Sequence, residues 1–112
     1  MSKRNDQLLF LDILDSINRI ENYIKDLDYK TFLTDHKTKD AVVRNLEIIG
    51  EASKHISKRN KDKLDVPWKR VSGLRNRIVH EYFGVDYKIV WRIITEQLND
   101  LKTAIENLDI NK

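Results

Sequence analysis

The sequence contains no cysteine, so it offers neither a disulfide framework nor a thiolate metal site. It contains one proline and three glycines, a poor supply of the residues that punctuate a sheet protein of many short strands. No apolar run is long enough to span a membrane, and MSKRNDQLLF at the start has no stretch of signal-peptide length. A soluble, cytoplasmic chain is therefore the expectation. A glycine-rich phosphate loop, a G-x-S-x-G elbow and a zinc-finger spacing are all missing. His36, His55 and His80 show no metal-ligand spacing. Glu51 and His55 stand four apart, but two ligands on one helix are weak evidence. No metal and no cofactor are expected.

What the sequence does have is charge and helical periodicity. Charged residues make up 35% of its 112 residues and hydrophobic residues 40%. That balance suits one all-α domain with charged outer faces, spanning residues 1–112. A core of this size has a poor surface-to-volume ratio, which favours self-association. The net charge of +3 is unevenly spread. Residues 54–77 carry 9 Lys/Arg against 2 Asp/Glu, while the segments on either side are each net −2. A field of that sign gathers polyanions such as RNA; a solvated lysine-rich loop is the plainer reading.

Four longer helices are legible. Ile13, Ile17, Ile20, Ile24 and Leu27 form an a/d-like seam on a helix over 6–27, capped by Asn5 or Asp6. A polar, broken stretch follows, with one turn around Thr31–Thr34. A second helix runs from about Asp40 to Ser57, with Ala41, Val42, Ile49, Ala52 and Ile56 on one face. Asn45 falls within that face and needs a partner, on a neighbouring helix or in the arginine region. Gly50 costs about 1 kcal/mol relative to Ala inside a helix, which a close helix–helix contact would explain. SKRNKDKLDV reads as a basic loop. Pro67 opens a third helix that Gly84 ends, and Asp86 caps a fourth over 87–108. No strand is expected. The architecture is an up-down bundle of four to five helices.

One stretch breaks the pattern. In LRNRIVHEY, residues 74–82, a helical wheel puts Leu74, Ile78, Val79 and Tyr82 on the apolar side. Arg75 falls among them and Arg77 points away. An arginine there is costly unless it is paired or faces a wet cleft. The structural reading is an Arg75–carboxylate pair that locks two helices. The functional reading is phosphate chemistry. Histidine moves protons near neutral pH, and arginine presents a planar fork of donors to phosphoryl oxygens. One histidine in this stretch is thin for both an acid and a base, and a two-fold dimer would supply a second.

Arg75, four residues, His80, one residue, Tyr82 resembles the R-x4-H-x-Y motif of HEPN-domain toxins of the HepT type. RNLEIIGEASKHIS at 44–57 and VPWKRVSGLRNRIVHEYFGVD at 66–86 are similar to that family's second-helix and motif-helix segments. The resemblance implies an all-helical HEPN-like fold, usually dimeric, with the motif at a cleft between protomers. It implies a metal-independent endoribonuclease, acting on tRNA or mRNA as the toxin of a type VII-like toxin–antitoxin system. Arg75 and His80 are its implied catalytic residues, with Asn76 in support. The implied partner is a minimal nucleotidyltransferase antitoxin that AMPylates Tyr82. The basic segment, with Lys58, Arg59 and Lys61, would gather RNA. The alternative is a non-catalytic dimeric module that docks and regulates such a nucleotidyltransferase. A sequence-specific DNA-binding protein is a weaker third, since no helix-turn-helix pattern is present.

Overall fold

The computed structural model describes residues 4–80 and 84–108, with His80 placed by its backbone alone. Among the described residues the chain is all-α apart from one minimal ladder. Its elements are α1 (Asp6–Ile24), α2 (Tyr29–Thr34), α3 (His36–His55), α4 (Lys58–Lys61), α5 (Trp68–Ser72), α6 (Leu74–Ile78), β1 (Val79–His80), β2 (Gly84–Val85), α7 (Tyr87–Arg92), a π-helical turn (Ile93–Gln97) and α8 (Leu98–Glu106). No helix among the described residues is long and apolar enough to cross a membrane.

α1 and α3 form the principal packed pair. Leu9, Phe10, Ile13, Ile17 and Ile20 of α1 are buried, and so are Val42, Leu46 and Ile49 of α3. Ile13, Ile17, Ile20, Leu46 and Ile49 are fully out of solvent, each contributing roughly 1.5–3 kcal/mol relative to an exposed side chain. The seam stops short of its expected end. α1 closes at Ile24, and Asp26 turns the chain with a φ of 65°, a conformation that Asp tolerates better than most residues. Side-chain caps begin several helices. Asn5 accepts from Leu8 N at 2.9 Å, Asp28 from Thr31 N at 2.8 Å, Asp35 from Thr38 N at 3.1 Å, and Asp86 from Lys88 N at 3.1 Å.

The stretch expected to be polar and broken, with one turn around Thr31–Thr34, forms α2 over Tyr29–Thr34, which buries Phe32 completely. Phe32 lies 5.1 Å from the ring of Trp91 and 6.2 Å from that of Tyr87, and Tyr29 lies 5.9 Å from Trp91. This aromatic cluster ties α2 to α7. Isolated aromatics in a polar stretch carry no period, so only tertiary packing reveals them.

The third and fourth helices differ most from expectation. No continuous helix runs from Pro67 to Gly84. The chain kinks at Gly73, and α6 ends at Ile78. Val79 and His80 then pair antiparallel with Val85 and Gly84. Gly84 is thus a ladder residue, with a φ of 73°, rather than a helix cap. Asp86 N donates to Ile78 O at 2.7 Å, which closes the connection onto the end of α6. The expected fourth helix is present, but one turn of it is wound as π-helix, which no sequence period shows.

Gly50 has the role its cost suggested. A Cβ there would stand 3.3 Å from Val71 O and 3.6 Å from Ser72 O, so α3 and α5 approach backbone to backbone. Ser53 and Ser72 share a hydrogen bond at 3.0 Å beside this contact. Asn45 finds its partner in its own helix, donating to Ala41 O at 2.8 Å rather than to a neighbour or an arginine.

The basic segment is not a free loop. Residues 58–61 form α4, and Asp6 anchors it from α1. The Asp6 carboxylate accepts from Ser57 N at 3.2 Å, from the Ser57 hydroxyl and from Asn60 Nδ2 at 2.6 Å. Burial pushes the Asp6 carboxyl up, but these bonds and nearby Lys61 outweigh it and hold its pKa below the usual 3.8. A carboxyl depressed on folding adds stability above its unfolded pKa and loses it as pH falls through the folded pKa. In urea melts, Asp6→Asn is therefore expected to be less stable than the parent at neutral pH, with the gap shrinking below about pH 4. A gap that does not change with pH would exclude the ionised anchor. Gly50→Leu is expected to lower stability by about 1–3 kcal/mol through overpacking; an unchanged melting temperature would disprove the close contact.

Candidate functional site

The motif helix lies across α3 at the point Gly50 permits, and this sets where Arg75 emerges. Leu74 and Ile78 of α6 turn into the core. Arg75 is exposed. It lines an open cleft of about 250 Å³ whose other wall is α3, with Arg44, Glu47, Glu51 and Lys54. Ser72 and Gly50 form its base.

The wheel therefore misplaced the two arginines. Arg75, expected on the apolar side, faces solvent, while Arg77, expected to point away, is half-buried. The kink at Gly73 rotates α6 relative to α5, so a wheel drawn through 68–82 adds angles across a break. The ideal angle between Arg75 and His80 fails for the same reason, since the helix ends between them.

Among the described residues Arg75 makes no ion pair, so the Arg75–carboxylate lock is absent there. Glu51 accepts instead from His55 Nε2 at 3.2 Å and lies 3.7 Å from Lys54 Nζ. Arg44 belongs to the charged stripe of α3, with Glu47 and Glu51, that lines this cleft. Together with Arg75 it presents two guanidinium groups to one cleft, a disposition suited to an anion. Gly50 is the signal that marks this stripe, because a close approach places the motif helix beside it.

The remaining expected residues are not all gathered here. Asn76 is exposed on α6 and does not line the cleft. Lys58 and Arg59 are exposed on α4, and Lys58 pairs with Asp62 at 3.0 Å. Lys61 is half-buried, its Nζ 5.9 Å from the ring centroid of Trp68. His80 is held by backbone pairing in β1, two residues past the end of α6. Its side chain and Tyr82 lie outside the described residues. No group of three or more His, Asp or Glu among the described residues is arranged to hold a metal ion.

Residues 13–108 match the model of a family described as Ribonuclease HepT-like. This chain belongs to the HepT-like ribonuclease family. It is 43% identical over 107 residues to a candidate RNase of Methanocaldococcus jannaschii, covering 95% of this chain and 98% of that one. It is 38% identical over 107 residues to a probable ribonuclease HepT of Thermococcus cleftensis, covering 95% and 97%. No solved structure matches it. The family resemblance read from the R-x4-H-x-Y motif and its flanking segments is thus correct, and so is the all-α fold.

An exposed arginine without an ion pair contributes little to folding. Arg75→Ala is expected to change unfolding free energy by no more than about 0.5 kcal/mol. A loss of about 3–5 kcal/mol in a denaturant melt would instead reveal a buried structural pair.

Proposed function

We propose that this protein is a metal-independent endoribonuclease, the toxin of a toxin–antitoxin pair, with Arg75 and His80 as its catalytic residues. The observation that carries the reading is Arg75 itself: a motif arginine of a ribonuclease family, exposed and free of any ion pair among the described residues, beside Arg44. A guanidinium kept out of structural pairing is available to a phosphate.

The chemistry needs no other group type. The ribose 2′-hydroxyl loses its proton as its oxygen attacks phosphorus, and the 5′-oxygen leaves and takes up a proton. A 2′,3′-cyclic phosphate and a 5′-hydroxyl result. His80 serves the proton transfers. Arg75 stabilises the charge that builds on the non-bridging oxygens. Two chains related by a two-fold axis supply one histidine as base and the other as acid, which makes the homodimer the working unit. Asn76 supports the site from α6, next to Arg75 in the sequence.

Tyr82 stands two residues from His80 in the sequence. A nucleotidyltransferase antitoxin that joins AMP to its hydroxyl would place bulk and a negative phosphate at the motif, blocking RNA and occupying Arg75. Lys58 and Arg59 gather the RNA backbone. Lys61 is set apart from them, because it also packs on Trp68 and its charge acts on Asp6. Its reversal would disturb α4 as well as binding.

The test is cleavage of total tRNA and of an mRNA in excess chelator, by protein shown by intact mass to carry no AMP. Cleavage is expected from the parent chain, with a loss of at least about 100-fold in His80→Ala and Arg75→Ala. Prior AMPylation of Tyr82 is expected to abolish it. Lys58→Glu with Arg59→Glu should weaken RNA binding while leaving the melting temperature in place. No cleavage of either RNA by the unmodified, folded protein would overturn the nuclease reading and favour the docking module.

A further inference from the structure

α6 has a second arginine on another side. Arg77 and Arg70 line a cavity of about 290 Å³ on the side bounded by the π-helical turn and α8. Its floor is apolar, built from buried Leu74, Ile93 and Leu101. An adjoining depression of about 300 Å³ shares Arg70, Arg77 and Gln97 and extends to Arg92. The cavity is near the lower limit for ligand sites, roughly 300 Å³.

The polar rim is unfinished. Arg77 is half-buried, yet its one hydrogen bond among the described residues runs from Nη1 to Gln97 Oε1 at 3.4 Å. A guanidinium carries five donors. Burial pushes the Arg77 pKa down, and so does the like charge of Arg70. Two cations turned toward one apolar hollow oppose each other and gain from an anion placed between them. Asp65 and Asp100 also line the hollow, but neither forms an ion pair with Arg70 or Arg77. They remain free to accept from the amino groups of a ligand. Gln97 reaches the rim because the π-helical turn inserts it there, and such turns recur at functional sites.

An apolar floor for a flat ring, carboxylates for its amino edge and two arginines for an adjacent anion describe one ligand chemistry. We propose that this cavity is a nucleotide subsite, taking the base on Leu74, Ile93 and Leu101 and the phosphate on Arg70 and Arg77. The nucleotide belongs either to an RNA chain, which rests on the proposed ribonuclease activity, or to a free mononucleotide, which does not.

Binding rather than cleavage is the readout, in His80→Ala protein so that RNA stays intact. Calorimetry with adenosine 5′-monophosphate and anisotropy with a labelled eight-nucleotide single-stranded RNA separate the two sources. Arg70→Gln with Arg77→Gln is expected to weaken one or both at least tenfold, with Arg70→Gln alone, at an exposed residue, acting in the same direction. Adenosine without phosphate is expected to bind at least tenfold more weakly than the monophosphate if the latter binds. Loss of both ligands supports a general nucleotide site, and loss of RNA alone supports an RNA subsite. Unchanged affinity for both would overturn the inference, and so would a change confined to self-association in sedimentation. A chain that binds through Arg70 and Arg77 but cleaves nothing keeps the subsite and removes the nuclease. A chain that cleaves normally with both arginines replaced, and binds as before, does the reverse.

Discussion

The close approach of α3 to α5 over Gly50 is the constraint on which the site depends. A Cβ at position 50 would press on Val71 O at 3.3 Å and touch Ser72 O at 3.6 Å, so a larger side chain would have no room. The gap left by the missing Cβ lets Leu74 sink into the core beside it, and the Ser53–Ser72 bond fixes the register. Once Leu74 and Ile78 are anchored, the next residues around the short helix are committed. Arg75 must emerge over the charged edge of α3, and Arg77 must turn toward α8. Among the described residues Arg75 makes no ion pair, and Arg77 makes a single long bond, to Gln97 Oε1 at 3.4 Å. Both are placed by the apolar residues beside them, which is why they can remain under-paired at low cost to the fold.

The same geometry explains which parts of the molecule were readable in the sequence. The seam of α1, the face of α3, the capping by Asn5 and Asp86 and the purpose of Gly50 all follow from local rules, and the structure agrees. Those rules assume an unbroken helix. From Pro67 onward that assumption fails twice, at Gly73 and at Val79. Gly73 was available as a warning, but a glycine within an apolar period reads equally well as a tolerated cost. The end of α6 is tertiary in origin: it depends on pairing with residues 84 and 85, which no local window contains. The π-helical turn leaves no mark in composition, and α2 was legible only as one turn around Thr31–Thr34 because its one buried residue, Phe32, packs on aromatics more than fifty residues away. The motif itself was legible because it is a pattern of identities, independent of helical phase.

The cluster of positive charge in residues 54–77 also changes meaning once folded. In the sequence it is a single block of net +7. In the structure its members part company. Lys54 and Arg75 flank the α3 cleft, while Lys58 and Arg59 stand on α4. Lys61 leans on Trp68, and Arg70 and Arg77 face the hollow beside α8. Charges on separate faces act together only on a ligand long enough to reach more than one of them, because surface fields fade within about 8–10 Å at physiological salt. A small anion sees the guanidinium groups of one hollow only: Arg44 and Arg75 beside α3, or Arg70, Arg77 and Arg92 on the other side. An extended polyanion crossing α6 meets the Arg75 cleft on one side and the Arg77 hollow on the other. A strand passing from one to the other has only the width of α6 to cross, about 10–12 Å with side chains. The division of the arginines on α6 thus places their charges where one extended polyanion can reach both and one small anion cannot, a consequence of turning Leu74 and Ile78 into the core.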